Sequence, residues 1–484
     1  MKLLKKVLIL MFGSGLSKII DMIYMMILVR LLSIKNYATY QQVNLVINTL
    51  MPFLILGIPI SLSYFIPKLS SKEESKTLVI QTHIMMTIIA LIGAFGIVIF
   101  SNSISMKFSN SDLNYYLKLQ SLYLFLEVSM SYYPNYYLAT DRSKKLASIT
   151  FIFSTIKFVS FFICVDLLNN KNLTYIFICI ILTSLVKYIY IFIEVYSYYR
   201  DVKFKSDFLL FKKQFLYSIP IGFSTIIGML SITLDKNMIS YFFTPEQYAI
   251  FSNGAFEIPL IGIITGSVTS VVIPEFSKLY NGHKENNYKI LDVWNKSIIA
   301  CSAILIPVGF GLFLYSKGFI MFLFSEKYLE STIIFRIYLL ILPLRSINFG
   351  SLLMTSGYQN KILYNTTIGL IMNFILNIIF IKIYGVTGAA IATVISTYIL
   401  ACLQSHQIKK VFKVSYKDIF PWKKISYIFM ICISNLWIYL FSHMYPIGEV
   451  VKFLVFGFIY IIINLIMFYK FNIVNYKVGK YNFK

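Results

Sequence analysis

Charge is scarce in this chain: Asp, Glu, Lys and Arg together supply 13% of its 484 residues, about half the share usual in a soluble domain. Acids are rarer still, 20 against 44 Lys and Arg, and there are only four histidines and five cysteines. Each shortage excludes something. His83, His283, His406 and His443 are scattered, and no HExxH, GxSxG or glycine-rich phosphate loop occurs, so hydrolytic, nucleophilic and nucleotide-dependent chemistry lacks its usual parts. Cys164, Cys179, Cys301, Cys402 and Cys432 fall within apolar runs without CxxC or metal-ligand spacing and read as small hydrophobes. Long hydrophilic stretches are also missing, which leaves no room for a soluble domain.

What is abundant is apolar sequence. Hydrophobic residues make up 58% of the chain and mean hydropathy is +0.74. Runs of roughly 20 apolar residues, enough to cross about 30 Å of hydrocarbon as a helix, recur from end to end. Alternating segments suited to a β-barrel are absent, so the expected fold is an all-α polytopic membrane protein. About fourteen spans can be drawn, near 7–29, 38–66, 78–100, 113–138, 146–168, 173–198, 214–240, 248–273, 297–315, 329–356, 362–383, 387–405, 425–443 and 449–469. The N-terminal run lacks an A-x-A-like site and reads as an uncleaved first span.

The net charge of +24 is topology rather than a nucleic-acid footprint, because no basic region lies outside the apolar framework. With the N-terminus inside, alternate connections hold 29 Lys and Arg against 8 on the opposite side. That asymmetry predicts an even number of spans with both termini in the cytoplasm. A repeat is also visible: "NYATYQQ" at 36–42 resembles "QYAIFSN" at 247–253, and Pro52 and Pro67 are spaced as Pro259 and Pro274 are. An offset of about 210 residues corresponds to six spans, the pattern of transporters that bind substrate at a repeat interface. The expected organisation is a six-helix lobe over 1–212, a second over 213–412, and two further helices with a cytoplasmic tail over 413–484.

One stretch carries a family resemblance. "GYQNKILYNTTIGLIMNFILNIIFIKIYGVTGAAIATVIS", residues 357–396, is similar to the polar turn, "N…LN…FI" helix and "YG(V/I)xGAAIAT" run of bacterial polysaccharide repeat-unit flippases; "LLSIKNYATYQQ" and "LGIP" at 56–59 resemble that family too. The glycines and alanines of Gly385–Thr393 suit a tight turn and close helix approach, so the run marks a fold rather than a substrate. The resemblance implies the multidrug/oligosaccharidyl-lipid/polysaccharide exporter superfamily, with a MATE-like fold of two six-helix lobes working by alternating access. It further implies an undecaprenyl-diphosphate-linked oligosaccharide as substrate, H⁺ or Na⁺ as the coupling ion, no other cofactor, and a bacterial plasma membrane location among membrane lipids. A polysaccharide polymerase and a chain-length regulator are the implied partners of a monomer, with no nucleic acid. A lipid II flippase and a cation-coupled multidrug exporter are the alternatives within the superfamily. Polymerases and glycosyltransferases of such pathways carry a large external loop or a DxD-bearing soluble domain, and neither is found, so no enzyme is expected.

Charges inside the spans are the candidate site, since facing lipid costs several kcal/mol each. Lys18 and Asp21 are three apart and share a helix face with Ser14; they read either as a local ion pair or as lining of a wet cavity. Asp235 and Lys236 of span seven are adjacent, about 100° apart on a helix, so one of them must reach elsewhere. Lys157, Glu257, Arg345 and Arg30 complete the candidates for substrate binding. Lys187 and Glu194 read as an interhelical brace. Fixed cations suit a diphosphate because they replace its hydration, while nearby carboxylates keep the empty site from being an uncompensated positive charge.

Overall fold

The computed structural model describes residues 2–167, 172–279, 285–471 and 473, and every regular element among them is helical. The expected tail beyond 473, together with Lys171, Lys284 and His283, lies outside the described residues. The chain packs into two compact units, Met1–Ala249 and Ile250–Lys484.

Unit 1 contains α1 (Lys2–Leu31), α2 (Ile34–Ile55), α3 (Ile58–Phe65), α4 (Lys72–Lys107), α5 (Asp112–Ser129), α6 (Tyr133–Ala139), α7 (Ser143–Phe162), α8 (Leu173–Tyr198) and α9 (Phe208–Phe242). The boundary falls inside α10 (Pro245–Gly254). Thus α9, the expected span seven, packs on α2 and α3 within the first unit. Unit 2 continues with α11 (Pro259–Leu279), α12 (Glu285–Leu314), α13 (Ser316–Phe324), α14 (Ser331–Leu339), α15 (Leu342–Arg345), α16 (Phe349–Thr355), α17 (Gln359–Tyr384), α18 (Val386–Phe412), α19 (Tyr416–Ile419), α20 (Trp422–Ser434), α21 (Trp437–His443), α22 (Glu449–Lys452) and α23 (Phe458–Lys470). Helix starts follow local chemistry: Ser33, Ser71 and Asp207 each accept a backbone N–H to cap α2, α4 and α9.

Among the described residues, nine helices are long and apolar enough to cross a membrane, or up to twelve if each of three bent pairs is one span. That count, taken over the described residues, does not confirm the expected number of fourteen. The expected spans one and four correspond to α1 and α5, which are helical but fall outside that count. Within α5, Asp112, Lys118 and Glu127 crowd 18 residues. The bent pairs are α2 with α3 (47°), α10 with α11 (42°) and α14 with the segment from Leu342 (45°). The first two hold the repeated prolines, and proline explains the breaks: Pro52 lies inside α2 and Pro259 opens α11.

The residues behind the family resemblance build a helical hairpin, α17 against α18. Asn373 donates to Ser396 Oγ (2.8 Å) and Thr393 Oγ1 (3.2 Å), and Gln407 donates to Asn365 Oδ1 (2.8 Å). Rising numbers on one helix meet falling numbers on the other, so the pair is antiparallel. Gly385 makes the turn at φ +61°, a region other residues avoid, and a Cβ on Gly388 would lie 2.0 Å from the Phe380 carbonyl oxygen. In unit 1 the break after α2 is sealed the same way: a Cβ on Gly222 of α9 would meet the Leu56 carbonyl oxygen at 2.5 Å. Each unit also has an aromatic-rich core. In unit 1 Tyr132, Tyr136, Tyr137 and Tyr199 pack with Leu62, Leu78 and Ile191, and in unit 2 Trp294, Phe349, Phe412 and Ile419 pack with Leu352 and Leu353.

Gly388→Ala is expected to destabilise the protein by roughly 1–3 kcal/mol, the usual cost of forcing atoms into a filled space. Gly15→Ala, where nothing lies within 4 Å, should not. Thermal melting of detergent-purified protein followed by size-exclusion chromatography compares the two.

Candidate functional site

Helix α1 carries the first group of charges, and its neighbour α7 decides how they are used. A Cβ on Gly13 would lie 2.8 Å from Ala147 Cβ, so the two backbones run almost in contact. Further along, Asp21 is paired with Lys157, and the Tyr24 and Phe161 rings meet edge-on at 4.7 Å. Because 13, 21 and 24 meet 147, 157 and 161 in the same order, α1 and α7 are parallel, as two odd-numbered spans must be. Asp21 therefore does not close on Lys18, three residues away, but on a lysine 136 residues distant. Lys157 Nζ also sits 5.2 Å over the Tyr24 ring. Lys18 is exposed and has no carboxylate partner among the described residues.

The pair is not deeply buried, the side chains being 30% and 44% exposed for Lys157 and Asp21. In a span this apolar, exposure to hydrocarbon would be costly, so the face holding Lys18, Asp21 and Lys157 has to meet water or a polar ligand. It carries two cations to one carboxylate. Tyr24 was not among the residues picked out by sequence reasoning, although its spacing from Asp21 puts it on the same face.

Two other intramembrane acids of unit 1 tie helices together. Glu127 accepts from Lys187 (3.3 Å) and Ser184 (3.0 Å), joining α5 to α8. Glu194 accepts from Arg142 (3.0 Å), Lys145 and Tyr137, tying the end of α8 to the α6–α7 turn. Lys187 and Glu194 are the expected brace, each with a partner of its own. Asp235 is 4% exposed and takes the backbone N–H of Lys236 at 2.7 Å, while the Lys236 side chain is half-buried without a carboxylate partner among the described residues. The adjacent Asn237 donates to Thr49 (3.1 Å), fixing α9 to α2. Arg30 donates to the Met26 carbonyl at 2.6 Å on its own helix.

Unit 2 joins the two remaining candidates. Glu257 lies in the break between α10 and α11, and Arg345 ends α15 beside the bend of the α14 span. The two side chains meet at 3.3 Å, 64% and 55% exposed. So open a pair contributes about 0–1 kcal/mol, and stability does not explain it. Broken helices leave backbone N–H and C=O groups unpaired, which membranes tolerate only where protein or a wet cavity covers them. Nearby, Asn348 donates to Thr269 Oγ1 across α16 and α11. Arg336, by contrast, is held by Ser316 Oγ at 2.6 Å.

Apolar helices, three bent spans and a charged pair at two of the bends define a multi-pass α-helical membrane protein. Residues 3–280, more than half of the chain, match the family described as polysaccharide biosynthesis protein, and the chain belongs to that family. It is 25% identical over 317 residues, 63% of this chain and 76% of the relative, to the capsular polysaccharide biosynthesis protein CapF of Staphylococcus aureus. It is 23% identical over 215 residues to the probable low-salt glycan biosynthesis flippase Agl15 of Haloferax volcanii, covering 44% of this chain and 45% of that one. Its fold matches a solved structure of the lipid II flippase MurJ in an inward closed conformation, with TM-score 0.76 and 18% identity over 96% of this chain and 100% of the other. Family and relatives place the chain among flippases and transporters of polysaccharide biosynthesis, not among enzymes.

Removing one member of the α1–α7 pair strands the other. Asp21→Asn should lower stability by roughly 1 kcal/mol, a modest figure because the pair is partly solvated, and Asp21→Asn with Lys157→Met should recover most of it. A double-mutant cycle on thermal stability in detergent reads the coupling.

Proposed function

We propose that this protein moves undecaprenyl-diphosphate-linked oligosaccharide repeat units from the cytoplasmic to the outer leaflet of a bacterial plasma membrane. Both termini lie in the cytoplasm, and the monomer works by alternating access through a cationic cavity. Polysaccharide polymerase and its chain-length regulator receive the product, and H⁺ or Na⁺ resets the cycle through the cavity carboxylates.

The observation that carries this reading is the excess of cation on one membrane-embedded face: Lys18 exposed and without a carboxylate, beside an Asp21–Lys157 pair. A diphosphate entering a low-dielectric site loses its hydration, and lysine N–H groups replace it with charge-assisted hydrogen bonds. Asp21 holds Lys157 in place while the site is empty and competes with the ligand when it is full, so binding is kept reversible. Arg345 repeats the arrangement in unit 2, where the incoming phosphate takes the place of Glu257. Lys236 and Arg30 add cations along the route, and Asp235 offsets them. The polyprenyl tail remains in lipid and needs no polar contact. Membership of a polysaccharide biosynthesis family and the similarity to CapF favour a glycan cargo over a drug.

Translocation of lipid-linked oligosaccharide into proteoliposomes tests the proposal. Each charge-assisted contact is worth about 1.5–3 kcal/mol, so Lys18→Ala with Lys236→Ala should slow translocation at least roughly tenfold. Normal translocation by this fully expressed variant would overturn the site. Equal transport of lipid II would favour that cargo, and resistance to cationic drugs without glycan transport would favour a multidrug exporter.

A further inference from the structure

A second charged feature of unit 2 lies far from the breaks at Glu257 and Arg345 along the chain, and transport chemistry does not account for it. Where α18 ends at Phe412 and α20 begins at Trp422, the connection folds over the start of α12 and leaves an open groove of about 750 Å³. Its rim includes Tyr288, Lys417, Trp422, Lys423 and Lys424.

The groove is rigidly built. Ile419 is fully buried, and its carbonyl accepts from the buried Trp294 Nε1 at 3.1 Å. Asn295 donates to the Asp418 carbonyl at 3.1 Å, and Ser415 with Asp418 forms a capping box for α19. The two acids of the groove are both engaged: Asp418 accepts from Ser415 Oγ (2.8 Å), and Asp292 is paired with Lys296 (2.6 Å). The lysines are not neutralised in this way. Lys417 and Lys423 are exposed and have no carboxylate partner among the described residues, and Lys424 donates to the Ile473 carbonyl (3.1 Å). Lys423 and Lys424 also stand in the first turn of α20, where the helix dipole disfavours cations, so helix stability is not their purpose.

Aromatic side chains frame these cations and face outward. Trp422 is 56% exposed and Tyr288 71%; the indole is held by an edge contact with Phe420 (5.1 Å) and a hydrogen bond from Nε1 to the Tyr416 carbonyl (3.2 Å). Three apolar helices, α12, α18 and α20, reach the groove within a few residues of their membrane-crossing segments, which puts it at the edge of the hydrocarbon. Exposed tryptophan and tyrosine with unpaired lysines at that level are the chemistry of a headgroup contact.

We infer that this groove binds the phosphate headgroup of an anionic glycerophospholipid, a lipid site separate from the transported substrate. The lysines contact the phosphate, and Trp422 and Tyr288 lie along the glycerol and upper acyl region. The rigid base formed by Ile419, Trp294 and Asn295 keeps the three lysines together, so the headgroup meets a preformed site.

Tryptophan quenching by brominated lipids tests this in full-length protein reconstituted in vesicles. Trp437→Phe removes the other exposed indole and leaves Trp422 with the buried Trp294. Brominated phosphatidylglycerol should be preferred over brominated phosphatidylcholine about fivefold or more, since one surface lysine alone contributes about that factor. Lys417→Gln, Lys423→Gln and Lys424→Gln together should bring the ratio close to one without shifting the melting temperature. In the parent protein, raising salt should reduce the preference, and millimolar inorganic phosphate should not abolish it. Equal quenching by the two lipids overturns the inference, as does a preference that survives the triple substitution. Loss of the preference to inorganic phosphate at constant ionic strength overturns the lipid and leaves a free-anion site.

Discussion

A charge inside a bilayer must be paired or wet, and unit 1 is arranged around that constraint. Helices in lipid gain little by hiding apolar side chains from one another, so close backbone approach and polar contacts hold them. Both devices occur together on α1 and α7: Gly13 admits Ala147, and two turns on Asp21 takes Lys157. The Glu127–Lys187 and Glu194–Arg142 pairs tie α5 and α8 to one another and α8 to the α6–α7 turn. The four charged residues of these last two pairs are thereby used up as fastening. Lys18, left over by the same reckoning, is the residue whose position needs a functional explanation.

Unit 2 meets the constraint differently. One of its charged pairs, Glu257 with Arg345, sits where two helices are broken and is more than half exposed on both sides. Such a pair adds little stability, yet it places opposite charges and free backbone groups at one point of an otherwise apolar framework. The enclosed Glu194 pair and the open Glu257 pair differ in exposure by a wide margin: 15% for Glu194 against 64% for Glu257.

Much of this fold was legible in the sequence. Apolar runs long enough for a bilayer set the helices, and their alternation across the membrane makes two odd-numbered spans such as α1 and α7 parallel. The glycine and alanine pattern after Tyr384 anticipated a hairpin with no room for side chains at Gly388. What was not legible is partner choice. Lys18 lies three residues from Asp21 and shares its face, but an ion pair forms with whichever cation packing brings within reach, and the tight contact at Gly13 brings Lys157. The span count was blurred at α5 for a related reason: Asp112, Lys118 and Glu127 weaken the apolar signal that marks a span. The groove beside Trp422 was hidden because its lysines entered the reading only as loop charge.

Water access at Lys18 tests the central claim most directly. In a cysteine-free background, Lys18→Cys in reconstituted protein is treated with a membrane-impermeant thiol reagent, with and without lipid-linked oligosaccharide. If the cations of α1 line a wet, ligand-binding cavity, the thiol is labelled rapidly and the substrate protects it. A thiol that stays unlabelled from both sides of the membrane, in protein that still transports, would place Lys18 against lipid or packed helix and contradict the cavity.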